Sequence, residues 1–286
     1  MQKRKLSIAI PASVVSDTPH LREKTAKIGL LGRAAAIFRV DEIIVYPDNP
    51  RMNQTADMDL VATLLAYMET PQYLRKKLFT LKPELQYAGI LPPLRTPHHP
   101  LNRRTAELKV GEYREGATLS KTREGTLVDI GVEQPALITD KQLPIGKRIT
   151  VKIVKIKPRV VVEVADRDVI PEYWGYIVTL EKRPLGKFVK NRSFDLTIAT
   201  SKKGVPLVEV EEKIVLKWEK ATTVLVAFGA PTRGLYEIAK DEGLKLDDVA
   251  DFVVNTIPSQ GTETVRTEEA VIASLAILNS RISFKV

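Results

Sequence analysis

The sequence predicts an α/β domain interrupted by a small all-β barrel. Three observations carry that prediction. Residues 6–46 spell strand, helix, strand over the length that a parallel crossover needs. Residues 106–165 lose the helical period and break into short β-like runs punctuated by glycine. From Pro171 onward, apolar strands and helical segments return. With 286 residues, 44% apolar and 28% charged, the chain can build sizeable cores and does not read as disordered.

In order along the chain, Leu6 to Ile10 reads as a short strand stopped by Pro11. Asp17-Thr18-Pro19 reads as a helix start, a capping side chain followed by proline in the first turn. Leu21, Ile28, Leu31, Ala35 and Phe38 then fall on one face of an amphipathic helix. Ile43 to Tyr46 is a fully apolar strand ended by Pro47. A second helix runs from about Thr55 to Thr70, and Pro71 restarts it as a short basic helix through Leu78. Four prolines between Leu91 and Pro100 mark a domain boundary.

The β-like runs that follow are Leu108 to Val110, Thr118 to Ser120, Gly125 to Gly131, Ala136 to Ile138, Ile149 to Ile156 and Val160 to Val164. Their number and rhythm predict a barrel of OB-like size. Lys147, Arg148, Lys152, Lys155, Lys157 and Arg159 load its last strands. Such a face tracks a phosphate backbone, although lysines also serve to protect edge strands. Only Tyr113 is available for base stacking. Beyond the barrel, Tyr176 to Val178, Leu196 to Ala199, Val224 to Phe228 and Phe252 to Val254 read as strands. Ser201 to Gly204 reads as a turn, and a last helix begins near Thr267. The expected division is 1–92 with 169–286 as one discontinuous domain and 93–168 as the insert.

Net charge narrows the function. It is +9 overall, with +4 in residues 1–92, +5 in 93–168 and zero in 169–286. The excess is densest in the barrel, which points to a polyanion there. No cysteine exists, so disulfides, thiolate-bound metals and thiol nucleophiles are excluded. His98-His99 lacks a third ligand in range, and no metal site is expected. Gly29-Leu30-Leu31-Gly32 has KH-type spacing but sits inside a helical pattern, where it serves packing. Pro11 follows the first strand where a dinucleotide-binding glycine run would stand, and no P-loop occurs. No run is long enough to span a membrane, so an intracellular protein is expected.

Two loops follow buried strands: Phe228 to Leu235 and Asn255 to Arg266. Ligands of open α/β sheets bind at the carboxyl ends of strands, where both loops lie. Gly229, Gly234 and Gly261 permit close backbone approach there.

It is at Phe228-Gly229-x-Pro231-x-x-Gly234-Leu235 and Asn255 to Ala270 that the chain resembles the SPOUT methyltransferases. It is most similar to the branch with an OB-like insert, which contains uridine-N3 methyltransferases of large-subunit ribosomal RNA. Arg33 to Ile43 and Thr200 to Gly204 share the likeness. The resemblance implies a C-terminal trefoil knot, a homodimer formed through it, and S-adenosylmethionine bound within it. It further implies that Gly229, Pro231 and Gly234 form one cofactor wall. Asn255, Thr256, Ile257, Gln260 and Gly261 form the other, Val265 closes over the adenine, and Lys203 reaches the cofactor carboxylate. Arg33 would face the substrate across the dimer and stabilise developing negative charge on a base carbonyl. Among nearby carboxylates, Glu268 and Glu269 fall in a helix's first turn and serve its dipole, which leaves Glu263 as the catalytic candidate. The function that the resemblance implies is S-adenosylmethionine-dependent RNA methylation, at N3 of a uridine in large-subunit ribosomal RNA. Two alternatives remain open at this point: a non-catalytic RNA-binding or assembly factor, and a nucleotide-binding enzyme whose charge is incidental.

Overall fold

A computed structural model describes residues 4–282. The elements in chain order are β1 (Lys5–Pro11), α1 (Leu21–Ile37), β2 (Glu42–Tyr46), α2 (Thr55–Glu69), α3 (Gln72–Leu78), β3 (Tyr113–Thr122), β4 (Gly125–Asp129), β5 (Ala136–Thr139) and β6 (Arg148–Lys155). They continue as β7 (Val161–Val164), β8 (Ile177–Leu180), α4 (Leu185–Arg192), β9 (Leu196–Pro206), α5 (Leu207–Lys220), β10 (Thr223–Ala227), α6 (Leu235–Asp241), β11 (Phe252–Asn255) and α7 (Thr267–Ile282). The chain divides into two compact units. One takes residues up to 66, 84–92 and from 176 on; the other takes 67–83 and 93–175.

The first unit is built on a six-stranded sheet in the order β11-β9-β10-β1-β2-β8. Each neighbouring pair in it is parallel. A parallel sheet is covered on both faces, so its strands are apolar throughout rather than alternating. Ile43, Ile44, Val45 and Tyr46 are all fully buried, as are Val224, Leu225 and Val226. On one face Ala9, Ile44, Tyr46 and Leu225 pack with Phe188 of α4 and with Leu235 and Ile238 of α6. Each such side chain contributes about 2 kcal/mol by leaving water.

Two local expectations are corrected here. Asp17-Thr18 does not cap α1: the helix starts at Leu21 behind His20, and no side chain caps it. The Asp17 carboxylate instead accepts from the Lys27 ammonium at 2.6 and 2.8 Å. The supposed turn at Ser201 to Gly204 lies within β9, but the ladder to β11 is broken there. Ala199 pairs with Val253, and the next pair is Val205 with Val254. Residues 200–204 therefore loop out of the ladder while the strand resumes beyond them.

The second unit is a closed barrel in the order β3-β4-β5-β7-β6, with β3 also pairing β6. Val128, Ile130, Ala136, Ile138, Val151, Ile153 and Val162 fill it. The predicted first strand at Leu108 to Val110 is not one. Glu112 N donates to Lys109 O, and Gly111 takes a positive φ of 89°, so the chain turns before β3 begins at Tyr113. Leu108 still serves the barrel as an apolar plug. No helix among the described residues is long and apolar enough to cross a membrane.

Candidate active site

The carboxyl ends of β10 and β11, with the excursion in the middle of β9, enclose a cleft of about 250 Å³. Its walls come from three segments, Thr200 to Lys203, Phe228 to Gly234 and Asn255 to Thr267, with Ala270 and Ser274 of α7 behind them. Adjacent parallel strands end on the same edge of a sheet, and this brings segments distant in sequence together.

Buried hydrogen bonds fix the end of β10. Thr200 Oγ1 donates to Ala227 O at 3.0 Å, and Tyr46 Oη donates to Phe228 O at 2.7 Å. Burial, with the charges of Asp48 and Glu242, raises the Tyr46 hydroxyl well above its ordinary range, so it stays a donor. Thr267 Oγ1 donates to Gly229 O at 3.0 Å, tying the start of α7 to the loop after β10. The loop after β11 is folded on itself. Asn255 Nδ2 donates to Lys202 O at 3.1 Å and its Oδ1 accepts from Ile257 N at 2.9 Å. Gln260 Nε2 donates to Thr262 O and Glu263 O at 2.9 and 3.1 Å, and Lys202 Nζ reaches Glu263 O at 3.1 Å. Thr256 and Ser274 share a buried hydroxyl contact of 2.7 Å.

Of the residues expected here, Lys203, Gly229, Pro231, Gly234, Asn255, Thr256, Ile257, Gln260 and Val265 all border this one cleft, and Glu263 joins them. Gly261 sits on the same loop but outside the lining, and a Cβ there would meet nothing within 4 Å. The close approach belongs to Gly204, where a Cβ would lie 2.6 Å from Val254 C and 2.8 Å from Val253 O. Sequence reasoning counted Gly204 as a turn residue within the family likeness and not as a point of close approach. The signal was its place between two lysines and a second apolar run. Arg33 is on α1, outside the cleft lining. Glu268 lies in the first turn of α7, as expected, and is in addition buried at 5% exposure and faces Lys27.

On the barrel, Lys147, Lys152, Lys155, Lys157 and Arg159 are exposed. Arg148 is a correction. Its guanidinium binds Glu69 Oε1 at 3.0 Å and contacts Glu69 Oε2 and Glu115 Oε2 as well, so it is spent inside the unit. The exposed basic set gains members that the sequence reading passed over. Arg159 meets Glu124 at 3.1 Å, Asp140 N donates to Glu124 O at 3.0 Å, and Gln142 Nε2 donates to Thr122 O at 2.7 Å. These bonds gather three loops carrying Lys121, Arg123, Lys141, Lys157 and Arg159, against Glu124 and Asp140. The turn signal Arg123-Glu124-Gly125 could have shown that basic side chains sit at a hairpin tip.

The arrangement suits a ligand with a flat heterocycle and a polar tail. Phe228, Ala230, Pro231, Ile257 and Val265 supply apolar surface, the loop main chains supply donors and acceptors, and Lys203 supplies a cation. Residues 5–278 match a protein family described as "Putative RNA methyltransferase". The chain is 34% identical to an uncharacterized protein of Halobacterium salinarum, over 95% of this chain and 98% of that one. It is 33% identical to the 28S rRNA (uridine-N(3))-methyltransferases of Mus musculus and Homo sapiens. Those matches take in 96% of this chain and 75% and 77% of theirs.

Proposed function

The chain belongs to this RNA methyltransferase family, and from that premise we propose that it methylates N3 of a uridine in large-subunit ribosomal RNA with S-adenosylmethionine as donor. The observation that carries the reading is the cleft formed together by the β9 excursion and the loops after β10 and β11. Its apolar walls fit an adenosine, and Lys203 on its rim fits a carboxylate. When bound, S-adenosylmethionine supplies a methyl group on a positively charged sulfur. The protein's part is alignment and exclusion of water, since an in-line displacement needs little covalent help. Pro231, Ile257 and Val265 hold the ring, and Gly229 to Gly234 and Asn255 to Gln260 offer main-chain partners. Uridine N3 must lose its proton; Glu263, which lines the cleft together with Glu237, is a carboxylate that can accept it, and Arg33 is the cation that can stabilise charge on the adjoining carbonyl.

Arg33 lies outside the cleft, and a homodimer formed through the knot supplies it from a second copy. Leu30 and Ile37, 48% and 56% exposed, flank Arg33 at helical spacing, and such an apolar stripe supports a packed α1 face. Support for the knot comes from connectivity. β9 separates β11 from β10 in the sheet, yet the chain leaving β11 returns past it to bond Gly229. Support for an OB-like insert comes from the barrel's strand order, first-second-third-fifth-fourth. We assign the sheet unit, residues up to 66, 84–92 and from 176 on, to methyl transfer, and the barrel unit, 67–83 and 93–175 in place of the expected 93–168, to holding RNA.

The purified protein, incubated with S-adenosylmethionine and ribosomal RNA, is expected to yield N3-methyluridine by nucleoside mass spectrometry. Binding heat with S-adenosylmethionine but no modified nucleoside would leave the non-catalytic alternative standing. Changing Lys141, Lys155 and Lys157 together to Gln should weaken RNA binding. It should also flatten the slope of log affinity against log salt by about 2, from roughly 0.7 per phosphate contact on a single strand. An unchanged slope would put the RNA elsewhere.

A further inference from the structure

Lys27 is a buried lysine in the middle of α1, 6% exposed, in a chain whose other cations are mostly in water. Its ammonium is 2.6 and 2.8 Å from the Asp17 oxygens and 3.3 Å from Glu268 Oε2. Glu268 is the second residue of α7 and is 5% exposed; its Oε2 accepts no well-aligned hydrogen bond. Asp17, Lys27, Leu30, Arg266 and Glu268 bound a cavity of about 370 Å³ on this side of the helix. Burying two charges is costly unless they are well paired, so a pair held this loosely makes a poor stabilising device.

Its position gives it another use. Thr267, one residue earlier, lines the cleft and donates to Gly229 O at 3.0 Å. The first turn of α7 is therefore gripped on opposite sides, by Gly229 through Thr267 and by Lys27 through Glu268. That turn is where the loop after β11 ends. With Asn255 anchored to Lys202 at its start, the loop is fixed at both ends while Gly261 to Thr264 between them are exposed.

We propose that Lys27 and Glu268 are positioning residues for the methyl-donor loop: their buried contact sets where α7 begins, and so how closely residues 256–266 cover the cleft. This rests on the reading of the cleft as the S-adenosylmethionine site. Asp17 holds the lysine when Glu268 is changed, so Glu268→Gln keeps every buried charge paired and should fold.

The test compares Glu268→Gln, Lys27→Met and the double variant in the full-length protein. In the ligand-free state, amide hydrogen exchange in residues 256–266 should quicken about tenfold in all three. Affinity for S-adenosylmethionine should fall about tenfold, with RNA affinity unchanged. Lys27→Met should also lower the melting temperature, and the double variant should recover it because no buried charge is left unpaired. Recovered stability with a loop still loose and affinity still low is the expected signature. Affinity and exchange that recover together with the melting temperature would make the pair merely structural and overturn the proposal, as would unchanged exchange in Glu268→Gln. Failure of the wild type to bind S-adenosylmethionine would instead strike the cofactor reading, while exchange still reports on the pair.

Discussion

Gly204→Ala is expected to abolish binding of S-adenosylmethionine, with a loss of a hundredfold or more, roughly 3 kcal/mol. The added Cβ would stand 2.6 Å from the carbonyl carbon of Val254 and 2.8 Å from Val253 O and Val254 N. These are main-chain atoms of β11 inside a parallel ladder, and no rotamer change relieves the clash. Either β11 or the 200–204 excursion must move. The excursion carries Thr200, which holds Ala227 O, and Lys202, which accepts from Asn255 through its carbonyl and reaches Glu263 O with its ammonium. Its displacement would open two sides of the cleft together. Gly261→Ala is the control. A Cβ there meets nothing within 4 Å, and the chain keeps an ordinary φ, so melting temperature should be unchanged. Calorimetry and thermal melts on both variants decide the matter; wild-type affinity in Gly204→Ala would mean that the excursion does not shape the site.

The division of the chain into α/β and barrel parts was legible because it is written in periodicity and punctuation. Strand runs such as Ile43 to Tyr46 are apolar without interruption, as both-sided burial requires. The cleft was legible because strand-end loops carry glycine and polar residues in place of apolar ones. What remained hidden depends on contacts between distant residues. Nothing local distinguishes Lys27 from any solvated lysine of a helix; Asp17 and Glu268 make it buried. Arg148 reads like its basic neighbours and shares a face of β6 with Lys152, yet Glu69 and Glu115 meet it there while Lys152 and Lys155 face water. Helix α5 was overlooked because Val208-Glu209-Val210-Glu211 alternates at the strand period. Asp17-Thr18 carries a good cap signal, and the buried lysine outbid the helix end for the carboxylate.

Arg148→Met is expected to destabilise the barrel unit by about 3 kcal/mol at neutral pH while leaving the salt slope of RNA binding unchanged. Glu69 is buried, and burial alone would raise its carboxyl. The Arg148 guanidinium, helped by His98, more than reverses this and holds it at about 2. Glu115 accepts from Thr150 Oγ1 at 2.6 Å and from Trp174 Nε1 at 2.5 Å, and Arg148 supplies its counter-charge. Without the arginine, Glu69 keeps Arg167 at 3.3 Å and His98 at 3.1 Å, which places the cost near the low end for a broken buried pair. The wild type and the variant then respond to acid in opposite senses. Glu69 is ionised more readily folded than unfolded, so its contribution is complete above about 4.5 and disappears as pH falls toward 2. His99, depressed to about 4 by burial and by His98, adds a loss between pH 6.5 and 4. In the variant, protonating Glu69 relieves an uncompensated charge, so the penalty relative to wild type shrinks as pH drops. Melting temperatures measured from pH 7 to pH 3 should therefore converge. Parallel curves would show that Arg148 acts through packing alone, and a flattened RNA salt slope would return it to the RNA-binding face.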